Sequence, residues 1–383
     1  MLDRIIGTAS ANNWLFFCLF NNKFSGDIDS QRLLNMFRSV IAALLACLSY
    51  SAHAVVILQY HHVSEDTPKV TSVIPAQFRE QMSYLRENGF KVKPLTHVVE
   101  AIKQGRELAD KTVAITFDDG YQNIADTAHP ILKEFGYPYT IFISIDPIER
   151  KHKNVMSWAT LKRLSDEGVT LANHSWGHEH LIRRLHGEDE QTWLTRITEN
   201  LLATEAEIEA KTGQSVKMLA YPYGEYNTAI ETLVQKLGFV GFGQQSGAAG
   251  GYSSLTALPR FPVAGAYADL TSLKAKLYSL NMPVLALTPR NTQLPLGQWR
   301  PEMQVTLDMA DIVASQVMCF VQGQGAMKPS WESEDTFSIQ AVTDLPPGRS
   351  RYNCTAPSKA SGRYYWFSQA WVRPKNDGTW VKE

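Results

Sequence analysis

Two adjacent carboxylates, Asp118 and Asp119, stand in the stretch Thr116-Phe117-Asp118-Asp119-Gly120, at the end of an apolar run from Thr112 to Phe117. Side chains alternate along a strand, so neighbouring carboxylates should leave on opposite faces. A strand that ends here and turns at Gly120 can aim both at one site. Such a pair suits a metal hydrolase, which needs one carboxylate to hold an ion and another to take a proton from water. The same letters also spell a common solvated turn, so the pair alone does not decide. In His174-Ser175-Trp176-Gly177-His178 two imidazoles stand four residues apart, and on a helical turn or tight loop both reach one ion. With one Asp they make a two-His, one-carboxylate set that leaves positions for water and substrate, where zinc lowers the pKa of bound water toward ~7. A lone His-x-x-x-His is more often a surface turn. Following a buried strand and joined to the two Asp, it reads as a metal site. His180 reads as a spare, structural or exposed, and His62 as either kind.

The elements that must position these groups follow in order. Val55–Tyr60 is a continuous apolar run, hence a fully buried strand, with His61-His62-Val63 at its end. Residues 78–88 carry Phe78, Met82 and Leu85 at helical spacing and close at Gly89. Further strands are predicted at 91–95, 112–117, 138–145, 169–173, 218–221 and 239–243, and helices at 96–102, 125–135, 158–168, 191–212 and 228–237. This alternation predicts a parallel sheet with crossover helices, open or closed into a barrel. In such barrels the working residues lie at the C-terminal ends of strands, where His61, Asp118, Asp119, His174 and Tyr223 all fall. After Pro283 helical periodicity disappears. Short alternating runs at 303–307, 316–321, 336–342, 351–354 and 364–372, separated by pieces such as Asp344-Leu345-Pro346-Pro347-Gly348, predict a small antiparallel β-sandwich. Tyr352 stands two residues before Cys354, as in the tyrosine corner of immunoglobulin-like domains, with Cys319 on an earlier strand.

At 383 residues the chain has room for two domains. Its net charge is -1 and no basic run stands out, which argues against a nucleic-acid partner. Met36-Phe37-Arg38, the apolar residues 39–48 and then Ala52-His53-Ala54 read as a secretory signal. It has a charged start, an apolar stretch too short to span a bilayer and an Ala-x-Ala cleavage site. The expected mature chain is periplasmic or secreted, without a transmembrane span, and residues 1–35 would be an over-extended gene start. Leu44-Leu45-Ala46-Cys47 also resembles a lipobox, so a lipid anchor at Cys47, on an outer-membrane lipoprotein, is the alternative. Cys18 and Cys47 fall in the removed segment; Cys319 and Cys354 remain and are expected to pair in an oxidising compartment. Three regions result: 1–54 as extended N-terminus and signal, 55–285 as the α/β part, and 290–383 as the sandwich.

The order Thr-Phe-Asp-Asp-Gly, His-Ser-x-x-His and Tyr221-Pro222-Tyr223-Gly224 resembles the polysaccharide deacetylases of carbohydrate esterase family four, the NodB-homology fold, over residues 55–285. The resemblance implies a distorted (β/α) barrel and a divalent metal, zinc foremost, with cobalt or nickel as alternatives. It implies Asp118 as general base and Asp119, His174 and His178 as metal ligands. The backbone amide of Tyr223 would help hold the oxyanion of a tetrahedral intermediate. Two departures stand out. Ala220 replaces an Arg that steadies the base in most of the family, and Arg260, in Leu258-Pro259-Arg260-Phe261, is the candidate substitute. The C-terminal Leu-x-Leu-His that supplies the general acid is missing, since Leu285-Ala286-Leu287 is followed by Thr288.

Gln59-Tyr60-His61-His62-Val63 instead resembles the circularly permuted branch, which includes biofilm poly-N-acetylglucosamine deacetylases and takes its acid His from an N-terminal strand; that position is His61. Glu225-Tyr226-Asn227 and residues 241–246 resemble the same branch. The implied activity is metal-dependent removal of N-acetyl groups from N-acetylglucosamine polysaccharides or oligosaccharides. Alternatives are an O-acetyl glycan esterase, since the same site can do either reaction, and a catalytically weak glycan-binding protein, which Ala220 motivates. The sandwich either binds glycan or a partner, or caps the barrel. Trp366, Trp371 and Trp380 are its stacking candidates, although Trp in a sandwich is more often core.

Overall fold

A computed structural model describes residues 54–382. The expected signal segment, with Cys18 and Cys47, lies outside the described residues. Eight strands form one parallel sheet: β1 (Val55–Tyr60), β2 (Lys91–Val92), β3 (Thr112–Phe117), β4 (Thr140–Ile143), β5 (Thr170–Asn173), β6 (Met218–Ala220), β7 (Val240–Phe242) and β8 (Phe261–Pro262). Their order is β8-β1-β3-β4-β5-β6-β7, with β2 beside the start of β3. Every residue of β1 and β3 is buried. A parallel strand covered on both faces has no side for polar residues, which is why both read as unbroken apolar runs. They pair in register from Val55–Thr112 to Tyr60–Phe117. A parallel bridge from Phe242 to Leu258 brings the chain entering β8 alongside β7, while β8 itself pairs with β1. The sheet is thus a half-barrel whose two edges are drawn toward each other.

The connecting helices form for local reasons. Helix α1 (Pro75–Glu87) has Pro at its first turn and buries Phe78, Met82 and Leu85. Helix α2 (Glu190–Thr212) is capped by Asp189, whose side chain accepts from the Thr192 N–H, and ends at left-handed Gly213. Helix α3 (Thr228–Lys236) is capped by Asn227, accepting from the Ile230 N–H. The helix expected at 125–135 is split into a π turn, Ile124–Ala128, and an α segment, His129–Phe135. Pro130 has no N–H to give to the preceding turn, so a regular α ladder cannot run through it. The strand expected at 138–145 stops at Ile143, because Ile145 already opens a helical turn.

The C-terminal region holds two antiparallel sheets, with one parallel edge pair. Strands β9 (Leu280–Asn281), β12 (Met318–Val321), β13 (Gly325–Met327), β16 (Gly348–Pro357) and β17 (Tyr364–Arg373) run in the order β9-β17-β16-β12-β13. Strands β10 (Val284–Thr288), β11 (Glu302–Leu307), β14 (Ser330–Trp331) and β15 (Thr336–Gln340) run as β10-β11-β15-β14. Leu285 and Leu287 therefore lie on a strand of this region. Cys319 and Cys354 form a disulfide, but they are directly opposed residues of neighbouring strands in one sheet. The immunoglobulin bridge joins two sheets, so the immunoglobulin analogy does not extend to the disulfide. Tyr352 does tie the region together: its hydroxyl donates to Pro301 O at 2.9 Å and accepts from the Ala341 N–H at 3.0 Å. Trp371 is core. Trp366 meets Phe261 edge-on at 5.2 Å and Trp380 lies 5.0 Å under the Arg183 guanidinium; both are half-buried. Among the described residues no helix is long and apolar enough to cross a membrane.

Candidate active site

The site forms where β1, β3, β5 and β6 end. Asp118 continues the β3 ladder, its N–H donating to Tyr60 O at 3.0 Å, and its side chain is fully buried. Arg260 grips it with a two-pronged fork, Nη1 to Oδ1 at 2.7 Å and Nη2 to Oδ2 at 2.8 Å. The fork is itself aimed: Arg260 Nε donates to Gly243 O at 2.9 Å, and the guanidinium lies 5.3 Å from the Phe142 ring centre. Gln59 Nε2 donates to the same Oδ2 at 2.6 Å. Burial alone would push the Asp118 carboxyl up; the Arg260 charge and bonds, helped by His174 and His61, hold it below the usual carboxylate range. Gln59 is a contributor that sequence reasoning missed, although a lone amide inside an unbroken apolar strand was the signal.

Asp119 and Gly120 both take left-handed backbone, φ 70° each, and this double turn carries the second carboxylate round to the first. At Gly120 a Cβ would also stand 3.1 Å from Ile143 Cγ2. His174 Nε2 and His178 Nε2 each lie 3.3 Å from Asp119 Oδ1. These three residues form a candidate metal-ligand set whose donor atoms all fall within 4.8 Å of one another. The His174 Nδ1 is bonded to Ala220 O at 2.7 Å, which leaves Nε2 to face the cluster. Burial lowers the His178 pKa to about 4, with the His174 charge adding, so that ring is neutral and able to ligate. Burial opposes charge on His174 too, yet its bond to Asp119 and the two carboxylates raise it; Asp119 is held far below its ordinary value by the same partners and His61. The pocket is built to hold positive charge, and a two-His, one-carboxylate donor set fits a divalent ion.

The rim completes the site. Tyr223 sits at φ 60°, ψ 2°, directly after Pro222 at the end of β6. His180, read from the sequence as a spare, structural or exposed, is structural: it lies parallel to the Tyr223 ring at 3.8 Å and bonds Glu225 at 2.7 Å. His61 is half-exposed and close enough for its charge to act on Asp118, Asp119 and His178. His62 stacks on Tyr121 at 3.8 Å and pairs with Asn123 Nδ2 at 2.9 Å; burial brings its pKa down to about 4, with His61 adding to the shift. The structure therefore brings Asp118, Asp119, His61, His174, His178, Tyr223 and Arg260 to one end of one sheet, while Cys319 and Cys354 belong to the sandwich.

Residues 105–242 match the sequence family described as polysaccharide deacetylase. That span contains Asp118, Asp119, His174, His178 and Tyr223, but neither His61 nor Arg260. The chain is 26% identical over 210 residues to a protein named putative polysaccharide deacetylase YxkH of Bacillus subtilis, covering 54% of this chain and 70% of that one. It is also 26% identical over 261 residues to the poly-beta-1,6-N-acetyl-D-glucosamine N-deacetylase of Escherichia coli K12, covering 58% of this chain but 38% of that protein's length. Among solved structures it is similar to the Streptococcus pyogenes deacetylase PplD in complex with acetate. The TM-score is 0.53 at 21% identity, over 58% of this chain and 98% of the other, a likeness of fold.

Proposed function

We propose that this chain, whose residues 105–242 match the family described as polysaccharide deacetylase, removes N-acetyl groups from N-acetylglucosamine polysaccharides or oligosaccharides, releasing acetate and leaving glucosamine units. One observation carries the reading: two adjacent carboxylates at one strand end have different partners. Asp119 faces two imidazoles and Asp118 faces a guanidinium. The first environment suits a ligand and the second a proton acceptor that stays ionised at neutral pH.

A divalent ion held by Asp119, His174 and His178, zinc foremost and cobalt or nickel next, would supply Lewis acidity toward the amide carbonyl and lower the pKa of a water. Asp118 takes a proton from the attacking water, its two oxygens fixed by Arg260 and Gln59. The water oxygen bonds to the carbonyl carbon, and negative charge gathers on the carbonyl oxygen. The Tyr223 backbone N–H is the donor assigned to that oxygen. His61 then gives a proton to the amide nitrogen as the carbon–nitrogen bond breaks, leaving acetate and a free amine. Arg260 takes the steadying role that Ala220 cannot fill.

The substrate class rests on the name of the Escherichia coli relative, and a location outside the cytoplasm on the Cys319–Cys354 disulfide. The experiment is acetate release from N-acetylglucosamine oligomers and, in parallel, from O-acetylated xylan oligomers, by protein stripped of metal and reloaded with zinc. Release from the N-acetylated series is expected. Preference for the O-acetyl series would make it an esterase, and binding without release would make it a glycan-binding protein.

A further inference from the structure

The loop carrying Tyr223 is held in part from the β-sandwich. A non-glycine residue with left-handed backbone persists only where its surroundings impose the conformation. The Tyr223 ring lies parallel to His180, 7° between planes, meets His178 at 4.5 Å, and has the Arg349 guanidinium 5.3 Å from its centre. His180 is fixed in turn by Glu225, two residues beyond Tyr223. The Glu225 side chain is fully buried; Arg349 Nη1 donates to its Oε1 at 3.3 Å, and Arg183 Nη2 forms a longer ion pair with the same oxygen at 3.8 Å. A buried carboxylate must be paired, and one of its cations comes from β16, 124 residues later in the chain.

We propose that Arg349 is a positioning residue for the reaction: through its ion pair with Glu225, and through Glu225 and His180, the sandwich holds the Tyr223 loop in its strained, working conformation. The sandwich is then part of the catalytic device and not only a cap. The expected effect on rate rests on the deacetylase reading; the expected effect on loop order does not. The Arg349 side chain is 40% exposed, so shortening it leaves the sandwich core around Tyr352 and Trp371 packed.

The test uses the full chain with metal bound, as parent, Arg349→Ala and Arg349→Lys. Hydrogen exchange is followed over residues 221–227, β3 and β17, and acetate release is measured on the same samples. Arg349→Ala should speed exchange at 221–227 by about tenfold and leave β3 and β17 unchanged. It should lower kcat by about tenfold with KM nearly constant, since a misplaced donor costs rate more than binding. Arg349→Lys should recover part of both effects. Unchanged exchange at 221–227 would overturn the proposal, as would a raised KM with kcat intact, which would make Arg349 a substrate contact. A parent that releases no acetate would refute the deacetylase reading, and the exchange result would still decide the positioning role.

Discussion

The rim of the parallel sheet and the β-sandwich are built on opposite terms. All eight non-glycine residues with left-handed backbone among the described residues precede Gly224, and four of them, Asp119, Ser175, His178 and Tyr223, surround the site. The sandwich has none and turns at glycines such as Gly297, Gly323 and Gly362. Each such conformation costs roughly 1–3 kcal/mol and is kept only where neighbours force it. Charge divides in the same way. At the rim a carboxylate and a guanidinium are both fully buried against each other, whereas the sandwich centres on Phe337, Tyr352, Trp371 and a disulfide. The lesson is that chemistry sits where the chain is held against its preferences, and that the regular region supplies the holding.

This contrast can be broken or sharpened by substitution. The largest effect is expected at Asp118→Asn, which keeps shape but removes the proton acceptor; acetate release should fall roughly 10³-fold while metal binding survives. Arg260→Met should come next. It strands the buried Asp118 charge, so urea unfolding should report a loss of about 3–5 kcal/mol together with most of the activity. Arg260→Lys, which keeps the charge but not the fork, should fall between. A loss of activity as large as that from any change in the sandwich core would break the comparison. The paired change Cys319→Ser with Cys354→Ser opens a bridge between residues 35 apart. It should cost about 2–4 kcal/mol of stability and leave kcat unaltered.

The smallest effect concerns pH. Lys276 is buried, which brings its pKa down from the ordinary 10.5 to about 8; Asp269 opposes the shift and Arg351 of the sandwich adds to it. Folding therefore disfavours the charged form. The penalty is complete below about pH 8 and fades as pH rises toward the unfolded value near 10.5. Between pH 7 and pH 10 the parent should gain about 2 kcal/mol on Lys276→Met, read from urea midpoints at each pH.

What could be read in advance follows the range of each interaction. β1 and β3 were legible to the residue because a doubly covered strand is a continuous apolar run with sharp ends. The Asp118–Asp119 and His174–His178 pairs could be singled out because their spacing is local. The roles of Gln59, Glu225 and Arg349 were not, since their partners lie 59 and 124 residues away; Gln59 stood out only as a lone amide in an apolar strand and Glu225 only within the stretch Glu225-Tyr226-Asn227. His180 could be read only as structural or exposed for the same reason: its partners, Tyr223 and Glu225, are brought to it by the fold alone. The π turn at Ile124–Ala128 escaped because Pro130 is equally at home in the first turn of an ordinary helix. The sandwich was legible as alternation, whereas its pairing of Cys319 with Cys354 within one sheet required the register.

The most direct test of the central claim compares the parent with Asp118→Asn in one metal titration. Both proteins are stripped by chelation and titrated with zinc, and acetate release from N-acetylglucosamine oligomers is followed at each point. The account predicts that both bind one ion with similar affinity and that only the parent releases acetate, in proportion to the ion bound. Release by Asp118→Asn at the parent's rate, or release by the parent that does not depend on the ion, would contradict it.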